Sequence, residues 1–314
     1  MPPRKPRARV NASNNGGATV AEAAPQLPGG LTADDLTDFY RRMVLCRTID
    51  ERIWALNRQG KVPIAASSQG HEAAQLGSLL AAEKDGNCFL FPYYRDLALK
   101  FAAGLTAEQV MRSFMGKAGD PYSNGRQFPL QGADLPHNII QISNVVAAGL
   151  TQSVGYAMAC KMRDEGTVTL VYFVPQRKQM SIEEVASRAA GYGFPGFTID
   201  GMDFIGCYEA SREAISSARE QGPVLLEMNV ERFTSHTTDD DDRRYRPANE
   251  VEQARLRDPV VTFGALLMEH GVMTQEEIDE AAANALAAVD AATDAADVAS
   301  PPDVSTLHAL VYSG

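Results

Sequence analysis

The run Gly166-Thr-Val-Thr-Leu-Val-Tyr-Phe-Val-Pro175 constrains the fold more than any other stretch of the chain. Nearly all of its residues from Thr167 to Val174 are β-branched or aromatic, none is charged, and Gly166 and Pro175 punctuate its ends. A half-exposed strand would alternate apolar with polar residues, so this run predicts a strand buried on both faces, at the centre of a parallel sheet. Ligands of open α/β sheets sit beyond the carboxyl ends of such strands, where glycines and polar groups hold them. After Phe173 the chain offers instead Val174, Pro175, Gln176, Arg177 and Lys178.

A chain of 314 residues that is 45% hydrophobic has enough apolar material for one large core or two. Its net charge of −11 argues against nucleic acid and anionic membrane as partners, because polyanions are bound by positive surface. Cys46, Cys88, Cys160 and Cys207 are widely separated and mostly lie in apolar surroundings, which predicts reduced, buried side chains and a cytoplasmic protein. No segment approaches the roughly 18 apolar residues of a membrane span. Residues 1–30 are poor in large apolar side chains and read as a flexible tail. Basic residues near its start are a feature of transit peptides, but Ser is scarce.

From Thr32 onward helices and strands alternate, which predicts an α/β fold with a parallel sheet flanked by helices. Capping-box signals at Thr32, Thr106, Ser181 and Thr274 each predict a helix start. A further helix is expected from about Gly70 to Ala82, and strands at Cys88, Phe197 and Pro223. Val145 to Met162 is apolar on nearly every side and predicts a buried, closely packed helix. Three stretches hold candidate chemistry. His71-Glu72 opens a helix but has no second His at metal-ligand spacing, so it reads as a helix-start feature. Tyr93-Tyr94-Arg95-Asp96 at a strand end suits either an anion held by Arg95 or a surface salt bridge to Asp96. Glu231 to Asn249 carries His236, four consecutive Asp from Asp239, and Arg243, Arg244 and Arg246, a charge run that usually means a solvated loop.

Taken in order, Gly70-His-Glu-Ala-Ala, Pro92-Tyr-Tyr-Arg-Asp96, Gly125-Arg-Gln-Phe-Pro129, Gln152-Ser-Val-Gly155, Gly191-Tyr-Gly-Phe-Pro-Gly196, Ile199-Asp-Gly201 and His236-Thr-Thr-Asp-Asp240 resemble the α subunits of the thiamine-diphosphate-dependent 2-oxo acid dehydrogenase E1 component. The resemblance covers about residues 31 to 314, as one main domain with a helical C-terminal portion. The Gly125–Pro129 and His236–Asp240 stretches look more like the branched-chain type than the pyruvate type. It implies an α/β thiamine-diphosphate-binding fold, magnesium as a second cofactor, a β subunit as partner in an α2β2 heterotetramer, and a lipoyl-bearing E2 acyltransferase as acceptor. In the implied reaction the thiazolium carbanion attacks the 2-oxo carbon, carbon dioxide leaves and the acyl group passes to the lipoyl arm. Carried over residue by residue, Tyr94 and Arg95 contact the diphosphate and Arg232 supports that end. Ser143, Asn144 and the backbone of Val146 adjoin the aminopyrimidine, and His236 is the catalytic histidine of its loop.

One departure from that pattern is large. Family members continue from a strand like Val168–Phe173 into Gly-Asp-Gly, a crossover helix, a second strand and an Asn-Asn pair, whereas here Phe173 runs directly into what resembles the sequence after that motif. No Gly-Asp-Gly occurs in the chain, and its one Asn-Asn pair, Asn14-Asn15, lies in the tail. A βαβ unit takes on the order of 30 residues, and Phe173 reaches Met180 in seven. Magnesium on a diphosphate needs a near-octahedral set of oxygen ligands, and nothing after Phe173 supplies one, so no metal ligand is assigned. The expected consequences are lost or strongly weakened cofactor binding, no catalysis, a free edge on the Thr167–Phe173 strand and an apolar face left open on the helix before it.

Overall fold

The computed structural model describes residues 27–140, 144–174 and 180–308. Most of the expected tail, Ser143 and the stretch from Pro175 to Gln179 lie outside the described residues. The elements are α1 (Ala33–Arg58), α2 (Glu72–Asp85), β1 (Cys88–Phe91), α3 (Leu97–Ala102), α4 (Ala107–Phe114), β2 (Ala133–Asp134), β3 (Ile139–Ile140), α5 (Gly149–Met162), β4 (Val168–Val171), β5 (Gly196–Asp200), α6 (Phe204–Gln221), β6 (Leu225–Asn229), α7 (Ala248–Arg255), α8 (Pro259–Glu269) and α9 (Gln275–Val298).

Local chemistry starts the long helices where the sequence marks them. Thr32 with Asp35, Thr106 with Gln109 and Thr274 with Glu277 each close a reciprocal capping box, satisfying backbone N–H groups that no preceding turn can reach. Helix α1 buries Leu36, Phe39, Met43, Ile49 and Ile53 against its neighbours. An aromatic chain ties it to α6 and α8, with Phe39 6.1 Å from Phe204 and Phe204 stacked at 4.2 Å on Phe263. Helix α2 lies so close to α6 that a Cβ on Gly77 would stand 2.8 Å from Cys207 Cβ and 2.9 Å from the Phe204 carbonyl oxygen. All four cysteines are buried and free, as their surroundings predict.

The parallel sheet is present. In the order β2-β3-β1-β4, β1 runs parallel to both β3 and β4, in register from Cys88 opposite Val168 to Phe91 opposite Val171. Strands β5 and β6 form a separate parallel pair. Two expectations drawn from composition need correction. Strand β4 is an edge strand, and of its residues only Val168 is buried. Helix α5 is largely open: Ser153 and Cys160 are its buried residues, while Val154, Met158 and Met162 are 56%, 60% and 85% exposed. One face of α5 does pack, through Tyr156 at 4.9 Å from Phe89 and 5.8 Å from Phe91. Among the described residues nothing covers its other face or pairs the outer side of β4, which is the outcome expected of the abrupt join after Phe173.

A third correction concerns Ser181. The predicted helix is a 3₁₀ turn from Val185 to Tyr192 with no side-chain cap. The carboxylate of Glu227 on β6 takes the Ala186 N–H at 2.9 Å, so the start of this turn is capped by a tertiary partner.

One buried polar link is ionic. Arg47 on α1 donates to Glu72 at 2.6 Å and, with two nitrogens, to Asp258 at 2.7 and 3.0 Å, joining α1, α2 and the start of α8. Glu72 is fully buried, so removing its counterion strands a charge. Arg47→Met is expected to lower unfolding free energy by about 3–5 kcal/mol, read as a shift of the urea midpoint at unchanged m-value. A cost below about 1 kcal/mol would show the network to be energetically idle.

Candidate functional site

The carboxyl ends of β1, β3 and β4 point the same way, and the chain leaving β1 builds the site. Asp96 accepts the Tyr93 N–H at 2.9 Å while its own N–H bonds the Tyr93 carbonyl at 3.2 Å, closing a turn that presents Tyr94 and Arg95. Burial raises the Asp96 carboxyl to about 7, with the Tyr93 N–H, Lys100 and Arg95 opposing that rise. Arg95 makes no surface salt bridge to Asp96. It is buried and donates to the Ser67 carbonyl at 2.9 Å and, through its other terminal nitrogen, to His236 O at 3.0 Å and His236 Nδ1 at 3.1 Å. Its guanidinium lies 5.3 Å from the Tyr94 ring centre, and the His236 ring meets Tyr94 edge-on at 6.2 Å.

His236 is held from both sides. Arg232 brings Nη1 to 3.4 Å from the same Nδ1 and anchors itself on Thr234 O at 2.8 Å. A guanidinium carries only donors, so Nδ1 is an acceptor and the ring proton belongs on Nε2. Burial lowers the pKa of His236, and the charges of Arg95 and Arg232 add to that, with Asp240 opposing. The loop around it is strapped to the segment before α2. Phe233 N donates to Gln69 O at 3.2 Å, Thr238 N to Ala65 O at 3.0 Å, and Ala65 N to the Thr238 hydroxyl at 3.2 Å. Within the loop, Asp240 accepts the His236 N–H at 2.8 Å and also the Tyr245 hydroxyl, and Asp242 accepts from Ser235 at 3.0 Å. Arg243 and Arg244 pair with Asp241 at the surface, whereas Arg246 is buried and bonds Glu250 at 2.7 Å and the Arg232 carbonyl. The charge run is thus part solvated loop and part scaffold.

Tyr94, Arg95, Arg232 and His236, singled out from the sequence, therefore come together. Asn144 and Val146 do not join them: the Asn144 side chain accepts from Gln131, and Val146 is exposed. His71 belongs to the cluster although its sequence position reads as a helix start. It is buried, and burial first, then the charges of Arg95 and Arg232, lowers its pKa to about 3. A lone His before a helix gives no signal of this, because the charges that face it come from residues 24 and 161 positions further on. Chemically the cluster has donors that can hold an anion. Neither Arg95 nor Arg232 has a carboxylate within 4.0 Å among the described residues, and Tyr93 adds a buried hydroxyl beside Arg95. Among the described residues no group of three or more His, Cys, Asp or Glu side chains could hold a metal ion.

A parallel sheet with an Arg and His cluster beyond the carboxyl end of β1 fits what comparison shows. The chain belongs to the dehydrogenase E1 component family, which matches it over residues 40–173 and again over 174–305, with no residue between the two pieces. It is similar to the 2-oxoisovalerate dehydrogenase subunit alpha of Bacillus subtilis (strain 168), 36% identical over 320 residues, which cover 90% of this chain and 96% of that one. It is also similar to the pyruvate dehydrogenase E1 component subunit alpha of Staphylococcus aureus (strain Mu50 / ATCC 700699), 30% identical over 95% of this chain and 86% of that one.

The geometry sets the protonation state of the two histidines. In spectra of isotope-labelled histidine, His71 and His236 are expected to be neutral at pH 6.5, with His71 protonating only near about 3 and Arg95→Gln bringing His236 back toward 6.5. The unfolded chain binds a proton at His71 near 6.5 that the folded chain refuses until about 3. The stability contribution of that site is therefore complete above pH 6.5 and declines as pH falls through that window. A protonated His236 at pH 6.5 with Arg95 intact would refute the arrangement.

Proposed function

We propose that this chain is an E1 α-type chain of the branched-chain 2-oxo acid dehydrogenase class that keeps the anion-binding side of a thiamine-diphosphate site and lacks its magnesium side. The observation that carries this reading is the join at Phe173-Val174, where two pieces of the family match meet and where the sequence holds no Gly-Asp-Gly. The alignment to the Bacillus subtilis relative supports it, since its 320 positions exceed the 314 residues of the chain. Over the same region β4 is left as an edge and β5-β6 as a separate pair. The branched-chain class is favoured over the pyruvate class by 36% against 30% identity and by the stretches Gly125–Pro129 and His236–Asp240.

The residues present fit one part of the cofactor only. Arg95, Arg232 and Tyr94 suit a diphosphate, with His236 beside them as the histidine of the catalytic loop, and Ser143, Asn144 and the Val146 backbone are the aminopyrimidine neighbours in this reading. The magnesium that would bridge that diphosphate finds no carboxylate set here, so no catalytic step is derived through the cofactor. The chain acts as an inactive α-like partner for a β subunit, in the cytoplasm, with the lipoyl-bearing E2 meeting the 231–249 loop.

Mixed with a β subunit, thiamine diphosphate and magnesium, the chain is expected to decarboxylate branched-chain 2-oxo acids at least about a hundredfold more slowly than an uninterrupted α chain, the scale of loss for a reacting group misplaced by about 1 Å. Calorimetric titration with thiamine diphosphate should give the same weak binding with and without magnesium. Rapid turnover, or binding that tightens sharply on adding magnesium, would overturn the reading.

A further inference from the structure

We propose that the outer edge of β4 and the outer face of α5 form one self-complementary surface through which two copies of this chain associate, strand to strand and helix to helix. This does not rest on the reading of the cofactor site. It rests on two neighbouring features with the same symmetry.

The first is the strand edge. In β4 the Val168 N–H bonds Asn87 O at 3.1 Å, and the Tyr172 N–H that follows the strand bonds Phe91 O at 3.0 Å, so alternate residues face β1. Thr169 and Val171, in between, turn their N–H and C=O groups to the outer side, where no strand lies among the described residues. Edges of natural sheets are protected by charges, prolines or bulges. From Thr167 to Val174 this chain has no charge and no proline. The occupant such an edge calls for is another strand.

The second is a ridge on α5 and the residues leading into it. Val146, Leu150, Val154, Met158 and Met162 recur every four residues and are 41%, 36%, 56%, 60% and 85% exposed. A Cβ on Gly155, beside the ridge, would meet nothing within 4 Å. Each partner gives roughly 800 Å² to an interface of standard size, so the ridge needs the strand edge beside it to complete one.

A second copy satisfies both features with one operation. Antiparallel pairing of β4 with itself, centred on Leu170, sets Thr169 opposite Val171 of the second copy, so that the outward groups of each residue meet those of the other. The two-fold axis of that pairing stands perpendicular to the joined sheet, and the two α5 helices then lie side by side on the same face. Ridges of four-residue spacing interdigitate in the commonest class of helix packing. The contact is isologous and closes at two copies, which also withdraws the edge from open-ended aggregation.

Sedimentation equilibrium of the full chain without a β subunit tests this. The expected result is a reversible monomer–dimer equilibrium in the micromolar range. Met158→Glu, on an exposed side chain, and Thr169→Pro, which removes an outward N–H and no bond to β1, should each weaken it by about tenfold or more while leaving the circular dichroism spectrum unchanged. Deleting residues 1–26 should leave the dimer intact. A monomer at all concentrations, a dimer indifferent to both substitutions, or a ridge shown to be covered by residues 1–26 would overturn the proposal. Should one variant fail to fold, the other alone decides.

Discussion

A single guanidinium fixes where the site can be. Glu72 has no exposed surface, and a buried carboxylate is tolerable only if its oxygens are occupied. Arg47 takes one oxygen at 2.6 Å, and the Gly70 N–H takes the other at 2.7 Å. Arg47 can do this only because α1 carries it to the junction of α2 and α8, where Asp258 accepts its remaining donors and caps α8 through the Val260 N–H at 3.0 Å. The Gly70 backbone is held at φ +90°, and a Cβ there would overlap the Glu231 carbonyl, so the loop bearing His236 can cross at this point. The core network therefore sets the turn, the turn admits the loop, and the loop brings His236 to Arg95.

The sheet contributes less to the site than a family with this topology would suggest, and the reason lies in chain connectivity. Parallel strands can be added only through crossovers, usually helical, and between β4 and β5 the described residues hold a 3₁₀ turn from Val185 to Tyr192 in place of an α-helix. Strands β5 and β6 pair with each other and stay apart from β1–β4. What joins the two halves is helix packing, chiefly α6 against α2, where Gly77 permits backbone-level approach to Cys207 and Phe204. The Arg95–His236 contact spans the same two halves, since Arg95 follows β1 and His236 follows β6. Its geometry thus depends on the α2–α6 contact as much as on any residue that touches it.

How much of this the sequence shows depends on how local each determinant is. The boxes at Thr32, Thr106 and Thr274 involve four consecutive residues, and each starts a helix where its pattern says. Ser181 carries a similar pattern and starts no α-helix; the turn that follows begins at Val185, and Glu227, 41 residues beyond Ala186, caps it through the Ala186 N–H. Composition describes α5 and β4 as interior because it reports the surface a segment would bury against a suitable neighbour. It is silent on whether that neighbour exists, and here the join after Phe173 supplied the missing half of the argument. Tyr94, Arg95 and His236 were legible through resemblance, since their motifs are short and contiguous. His71 was not, because its role depends on Arg95 and Arg232 meeting it from separate parts of the chain.

The electrostatic state of the cluster follows from these constraints. Two guanidiniums converge on one imidazole nitrogen, with carbonyl oxygens and, for Arg232, the Tyr245 hydroxyl at 3.3 Å as their other acceptors and no carboxylate within 4.0 Å among the described residues. Such a site is stabilised by neutral acceptors only, so it favours a ligand that brings its own negative charge. An anion that draws the Arg95 guanidinium away from His236 takes charge that was directed at Nδ1. Binding of an anion would therefore lift the pKa of His236 as it loosens its tether. The protonation of the histidine and the occupancy of the arginines are one coupled equilibrium.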